Sequence, residues 1–360
     1  MTSLRARRLR SIALLALLAP AGARATLPAG RPDAFWRQDV SVAPVDAQSD
    51  EIIAWLAAQG GFGTGFPQID FSMELLDGSA ATPRVAFTPT ADWWDPDCDA
   101  DPVPLPPGGN LEGESGYACS GGGDCHLIVW LPDTQQLFEM WRADLEQGQL
   151  YGGCLAIWQL DARYGPAGRG SDCSSADAAG LPIAPLLFDA DEVAAGAIEH
   201  AIRFILPNPS IRHRSYVSPA SHGTDKASGP SSAPPYGARL RLRADFPLET
   251  LPNEPARVIA RALQKYGMVL ADAGSIALTA RSDRWTAAQW SDLLDSHALA
   301  AIAITDFAMV EGGTRFAYAG DCVRVPEPAP PLAAAVALAA AVALAALARL
   351  RGLGRSERRS

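Results

Sequence analysis

The chain has 360 residues, 48% of them hydrophobic and 19% charged. That balance excludes an intrinsically disordered polymer, and the length is enough to bury one large core. Formal net charge is −10, but residues 1–25 carry +5 and residues 324–360 carry +4, which leaves −19 between them. A body that acidic repels nucleic acid and polyanionic glycans at long range, and only a local basic patch overrides the repulsion.

In chain order, a targeting segment comes first. Arg5, Arg7, Arg8 and Arg10 precede the apolar run Ile12–Ala19, and Ala23-Arg24-Ala25 has the small-x-small form of a cleavage site. Residues 1–25 read as a secretory signal peptide, and residues 26–322 as one exported domain. Ala34–Val40 and an amphipathic helix over Ser49–Gln59, with Ile52, Ile53 and Leu56 on one face, open that domain.

The texture then turns to β. Leu127–Leu131, a turn at Pro132-Asp133-Thr134, and Leu137–Trp141 predict a hairpin; Leu150–Leu160 predicts a strand pair or bent strand. Ala201–Leu206, Ser215–Ser218 and Arg239–Arg243 continue the pattern. In the last of these, Leu240 and Leu242 face the core and three arginines face out, as in a half-exposed antiparallel strand. Two later segments are helical, Pro255–Tyr266 ending at a C′ Gly267 and a shorter one over Thr286–Leu294. The expected fold is mainly β, an antiparallel β-sandwich or jelly-roll-like body with a few helices.

All six cysteines, Cys98, Cys119, Cys125, Cys154, Cys173 and Cys322, lie in the exported part. An even number in an oxidising compartment predicts three disulfides of open connectivity. Zinc is the competing reading, but no two cysteines stand at the two-residue gap common in zinc sites. The loop Asp95-Pro-Asp97-Cys-Asp99-Ala-Asp101 carries four carboxylates at alternate positions, a weak calcium pattern. It lacks the sixth-position Gly and late acidic ligand of an EF-hand-type loop, and a solvated, disulfide-tied loop is the plainer alternative. No other cofactor is indicated.

At the C-terminal end stand Val325-Pro326-Glu327-Pro328, an apolar run from Leu332 to Ala348, and then Arg349, Arg351, Arg355, Arg358 and Arg359. The run is at the lower length limit for a membrane-spanning helix, and the arginines fit a positive-inside stop. This order resembles the PEP-CTERM sorting signal, which exosortase-type enzymes process in Gram-negative bacteria that make extracellular polysaccharide. The resemblance covers residues 325–360 and implies export to the cell envelope or surface, an exosortase-type partner and at least transient anchoring by the helix at 332–348. A permanent anchor is the alternative and leaves the same topology.

Four segments of the body carry a second resemblance: Ser175-Ala-Asp177-Ala-Ala-Gly-Leu-Pro-Ile183, Asp191 to Phe204, Tyr216 to His222, and Arg261 to Asp272. Together they are similar to a broad family of exported bacterial proteins, over about residues 60 to 312. This implies a shared fold and an extracellular or cell-surface life rather than a reaction. Cys125-His126 stands where that family's pattern has Arg-His, so any role of that Arg is not carried over.

The same segments supply the candidate catalytic residues. Asp177 sits in a small-residue loop that lets a ligand approach, with a turn-capping Asp as the alternative. His200 precedes an apolar strand, and His222 lies in a polar loop six residues after Tyr216, where a neutral imidazole acts as acid or base near pH 7. His126 follows a Gly-rich loop with Asp124 beside it. No Gly-x-Ser-x-Gly, phosphate-loop, Gly-x-Gly-x-x-Gly or His-Glu-x-x-His motif is present. Two functions remain. One is a carbohydrate-active enzyme, a glycoside hydrolase or polysaccharide lyase, with Asp177 and Glu192 as the carboxylates or His and Tyr as a proton-abstracting pair, and with Trp93, Trp94, Trp130, Trp141 and Trp158 stacking on sugars. The other is a non-catalytic surface or matrix protein in which those tryptophans are core.

Overall fold

The computed structural model describes residues 26–120 and 122–326. The predicted signal peptide and the apolar run at 332–348 lie outside the described residues. Among the described residues no helix is long and apolar enough to cross a membrane.

Strand outweighs helix, and the strands form several mixed sheets. The largest has six strands in the order Ile69–Met73, Leu278–Arg281, Ile202–Leu206, Met268–Ala273, Arg239–Leu242 and Phe307–Val310. Its first and third neighbour pairs run parallel and the others antiparallel. The expected all-antiparallel pairing therefore gives way to a mixed one. Parallel neighbours need a long crossover, and here helix Glu254–Lys265 returns the chain to Met268. Asn253 caps that helix by accepting from the Ala256 N–H at 3.0 Å, and Gly267 (φ +69°) ends it in the left-handed conformation that the sequence placed there.

A four-stranded sheet contains the predicted hairpin, Leu127–Leu131 paired antiparallel with Gln136–Met140, flanked by Leu155–Gln159 and Leu76–Asp77. Both of its faces are buried, and alternation decides where each side chain goes. Ile128, Trp130, Leu137, Ala156 and Trp158 join the main core under the six-stranded sheet. Leu127, Val129, Phe138, Met140 and Leu155 build a second core on the other side. Fully burying each such side chain contributes about 1.5–3 kcal/mol, so this sheet fastens the two cores together.

Two predicted elements differ. The arginines of Arg239–Leu242 are not on a solvent face: Arg239 donates to the carbonyls of Phe35, Gln38 and Tyr266, and Arg241 to those of Val40 and Ala43, so the N-terminal segment covers the strand. The helix expected over Thr286–Leu294 shrinks to Trp290–Leu293. The Asp191 carboxylate takes the N–H groups of Ala287 and Ala288, which satisfies them outside a helix, and Asp283 takes that of Trp290, where the short helix begins.

The six cysteines form three disulfides, Cys98–Cys154, Cys119–Cys125 and Cys173–Cys322, and none is free. The bridges span 56, 6 and 149 residues. Loop-closure entropy then orders their effects: replacing each pair by serine is expected to lower the unfolding free energy by about 2 kcal/mol for Cys119–Cys125, about 4 for Cys98–Cys154 and about 5 for Cys173–Cys322. Urea titration of the three double variants checks the order, and a Cys119–Cys125 variant that is the least stable contradicts it.

Candidate functional site

A charged residue inside an apolar strand sets the site. Strand Ile202–Leu206 reads Ile-Arg-Phe-Ile-Leu, and Arg203 is 3% exposed. Its guanidinium meets the Asp177 carboxylate side-on, Nε to Oδ2 at 2.9 Å and Nη2 to Oδ1 at 2.7 Å. Nη2 also reaches Asp272 Oδ2 at 3.2 Å, and Nη1 donates to Thr279 Oγ1 at 2.7 Å. Asp272 and Thr279 stand on the two strands that flank Arg203, so the sheet itself gathers three of the four groups. The fourth comes from the loop 174–183, held by a Ser175 hydroxyl that donates to the Asp177 and Leu181 carbonyls and by the Ala179 N–H on Ala271 O. Gly180 (φ +72°) closes this loop against Ser221 and Cys173, where a Cβ would lie 2.3 Å from Ser221 Oγ; only glycine fits.

A second group adjoins the first. His126, just before strand Leu127–Leu131, places Nδ1 2.6 Å from Glu112 Oε2 and Nε2 3.2 Å from the Ala176 carbonyl. Both ring nitrogens face acceptors, which only the doubly protonated imidazolium satisfies. Burial opposes the charge, but Glu112 outweighs it and raises His126 to about 9. Burial likewise opposes the Glu112 anion, yet the His126 hydrogen bond and the charges of His126 and Arg203 hold it below the usual glutamate range. Ser72 bridges Glu112 (3.2 Å) and Asp70 (3.0 Å). Asp272 moves the other way. Burial and the neighbouring Asp177 push it up to about 8, although a quarter of its side chain meets solvent. One cluster thus holds an ionised carboxylate, Glu112, and a protonated one, Asp272.

A further carboxylate, fully buried, fastens the same loop. Glu139 lies on the main-core face of its strand and accepts from the Ile183 and Ala184 N–H groups (2.9 and 2.8 Å) and from Trp158 Nε1 (3.1 Å). Burial pushes it up to about 7 against these donors.

The sequence-predicted residues fall in three places. Asp177 is closed inside the Arg203 pair. Glu192 and His200 meet, Nε2 to Oε1 at 3.3 Å, with His200 Nδ1 on the Ala201 carbonyl at 2.8 Å, beside a cavity of 310 Å³ that Trp36 and Glu199 also line. Burial lowers and Glu192 raises the His200 pKa, with a net rise. His222 Nδ1 lies 2.6 Å from the Ala178 carbonyl and its ring packs edge-on to Tyr318; burial lowers its pKa. Among the described residues no hydrogen bond or ion pair joins Asp177, His200 and His222 to one another. Asp124 accepts from Trp141 Nε1 and leaves His126 to Glu112.

Asp97 and Asp99 of the acidic loop are turned to separate tasks, Asp97 to the Ser174 N–H and Asp99 to Arg169, Arg324 and the Ile157 N–H. No three of Asp95, Asp97, Asp99 and Asp101 bring an oxygen within 4.8 Å of one another. Glu114, Cys119 and Cys125 do cluster, but those cysteines are bonded to each other. Trp130 and Trp158 are core, while Trp94 is 68% exposed.

Arg203, Asp272, Glu112, Thr279 and Glu139 were not singled out from the sequence. For Arg203 and Glu139 a signal existed, a charge flanked on both sides by apolar strand residues. No family profile matches the chain, and no curated protein or solved structure is significantly similar to it.

These protonation states set the pH dependence of stability. Asp272 and His126 both have folded-state pKa values raised above the unfolded ones, so their contribution is fully present at low pH and is lost as pH rises, from 3.8 to about 8 for Asp272 and from 6.5 to about 9 for His126. Urea unfolding is expected to give falling stability from pH 5 to pH 9, with the slope below pH 8 flattened in Asp272→Asn. An unchanged slope in that variant means Asp272 is ionised throughout.

Proposed function

We propose that this chain is an exported carbohydrate-active enzyme of the glycoside hydrolase type, with Asp272 as proton donor and Glu112 as the ionised carboxylate that acts as base or nucleophile. The observation that carries this reading is the placement of two partly exposed carboxyls in one charged network, Glu112 on His126 and Asp272 beside Arg203 and Asp177, with surroundings that push their pKa values in opposite directions. Arg203 acts on Glu112 and Asp272 on His126, so the groups share one electrostatic environment. Pairs of carboxyls whose surroundings push their pKa values apart are what acid–base cleavage of a glycosidic bond uses. Asp272, open to solvent at 25% of its side chain, can regain its proton after donating it. The lyase version has less support, because burial pushes the Tyr216 phenol up to about 12 and removes it as a base at neutral pH.

Three disulfides support an oxidising compartment and hence export. Processing of residues 325–360 by an exosortase-type partner and anchoring by the helix at 332–348 belong to the same reading. A sandwich-like stacking of the two larger sheets also belongs to it, and the core they share supports that stacking. The non-catalytic alternative, a surface or matrix protein that binds extracellular polysaccharide, draws on a different observation: Arg203, Asp177 and His126 are all under 9% exposed, as in a purely structural fastening.

The test is a screen of the full-length protein against a polysaccharide panel, reading reducing ends and the absorbance of unsaturated products. Hydrolysis is expected, with a bell-shaped pH profile whose alkaline limb falls near 8 and whose acid limb reports Glu112. Asp272→Asn and Glu112→Gln are each expected to reduce turnover by about 10²-fold or more. Turnover that survives both substitutions, or no turnover on any substrate, leaves the binding alternative as the function.

A further inference from the structure

Arginine in this protein is mostly spoken for. Arg203, Arg169 and Arg315 sit on carboxylates, and Arg239 on carbonyls. In one cleft several cations gather together. A cleft of 530 Å³ lies between the end of strand Arg239–Leu242 and helix Glu254–Lys265, lined among others by Arg241, Arg243, Arg261, Gln264, Lys265 and Asp245. Four cations therefore face one carboxylate. Among the described residues, Arg241, Arg243 and Lys265 have no carboxylate within ion-pair distance; Arg241 rests on the Val40 and Ala43 carbonyls, and Lys265 lies over the Tyr266 ring with Asp39 and Glu199 acting on it from beyond ion-pair distance. Arg261 has an ion-pair partner, but it is Glu254, whose side chain is 61% exposed. Gln264 Nε2 is fixed by the Arg243 carbonyl at 3.0 Å, which ties helix to strand across the cleft.

Like charges gathered this way repel one another and lower stability unless an anion is bound between them. Their setting sharpens the point, because residues 26–323 carry −19 overall. The volume falls within the range of small-molecule sites, about 300–1,000 Å³.

We propose that this cleft binds a carboxylated glycan, a chain of uronate residues whose carboxylates lie between Arg243, Lys265 and Arg241. The −19 body repels duplex nucleic acid and a uronate polymer alike at long range, but the duplex carries a charge every ~1.7 Å past the cleft, whereas the uronate chain carries one per sugar and so meets less repulsion for the same contact with the cations. Strand Arg239–Leu242 pairs antiparallel to Met268–Ala273, so the cleft lies beyond the start of that strand and Asp272 near its end, roughly 20 Å apart at strand rise. The cleft is thus a holding site and not part of the acid–base pair. The choice of a glycan as carrier rests on the function proposed above, whereas the excess of cations lining the cleft does not.

The experiment measures binding of the full-length protein by calorimetry to polygalacturonate, its methyl ester, sulfated dextran, inorganic phosphate and a single-stranded oligonucleotide. Polygalacturonate is expected to bind, at least 10-fold more weakly in the Arg243→Ala/Lys265→Ala double variant and in 0.5 M salt, and the methyl ester not to bind. Both substituted residues are exposed, so the urea midpoint of the double variant is expected to match wild type; a lowered midpoint moves the comparison to Arg243→Gln alone, with the same loss expected. Equal binding by variant and wild type, equal binding of the methyl ester, tighter binding of sulfated dextran, phosphate or oligonucleotide, or no binding at all each overturn the proposal. Asp272→Asn is expected to bind polygalacturonate as wild type does. Binding without hydrolysis sinks only the enzyme reading, and hydrolysis without binding at the cleft sinks only this one.

Discussion

The rest of the structure depends on the buried pairing of Arg203 with Asp177. A guanidinium in the middle of an apolar sheet is tolerable only if a carboxylate reaches it, and removing one partner of such a pair costs about 3–5 kcal/mol. Asp177 has to be delivered by a loop, so the loop 174–183 must lie on this face of the six-stranded sheet and in one register. Two further anchors act on its ends. The Ala176 carbonyl meets His126 and the Ile183 and Ala184 N–H groups meet Glu139, both from the four-stranded sheet. The loop is the joint between the two sheets, held on one side by an arginine and on the other by a histidine and a glutamate. Hydrophobic burial supplies the stability of both cores, but it is non-directional; these polar contacts set how the sheets meet.

The same logic governs the charge distribution. A body with so large an acidic excess turns four arginines, Arg169, Arg203, Arg239 and Arg281, fully inward, where they meet carboxylates and carbonyls. Arg239 shows the strength of that demand: burial lowers its pKa to about 10, and it still binds three carbonyls, of which those of Phe35 and Gln38 tie the N-terminal segment to the sheet. Against that background, a cleft lined by four cations and one carboxylate stands out on so acidic a body.

What the sequence disclosed was what local periodicity encodes. The hairpin at Leu127–Met140, the helix ending at Gly267, the strand-like Ile202–Leu206 and the paired cysteines follow from patterns a few residues long. Mixed pairing does not. Ile69–Met73 lies parallel to Leu278–Arg281, some two hundred residues away, and a partner that distant leaves no trace in either segment. The site was half legible for the same reason. Asp177 and His126 were visible as polar residues among small ones. Their partners, Arg203 and Glu112, come from other parts of the chain, and Asp124, which stands beside His126 in the sequence, binds Trp141 instead. Glu192 and His200, eight residues apart, do meet, because a short capped helix, Ala190–Ala195, folds one back toward the other.

Charge balance explains why Asp272, rather than another carboxyl, takes the proton. The cluster contains two cations, Arg203 and His126, and three carboxyls, Asp177, Glu112 and Asp272. A buried group of charges is least unfavourable when its sum is zero, so one carboxyl is to be neutral. Asp177 has the two-point contact with Arg203, and Glu112 has the 2.6 Å contact with His126. Asp272 has a single 3.2 Å contact to an Arg203 nitrogen that Asp177 already occupies, and its other oxygen accepts only from the neighbouring Ala273 N–H at 2.7 Å. It is the weakest held of the three, and therefore the one that protonates. It is also the one with a quarter of its side chain open to solvent. The carboxyl left over from neutralising the fold is thus the carboxyl placed to exchange a proton with whatever approaches from outside.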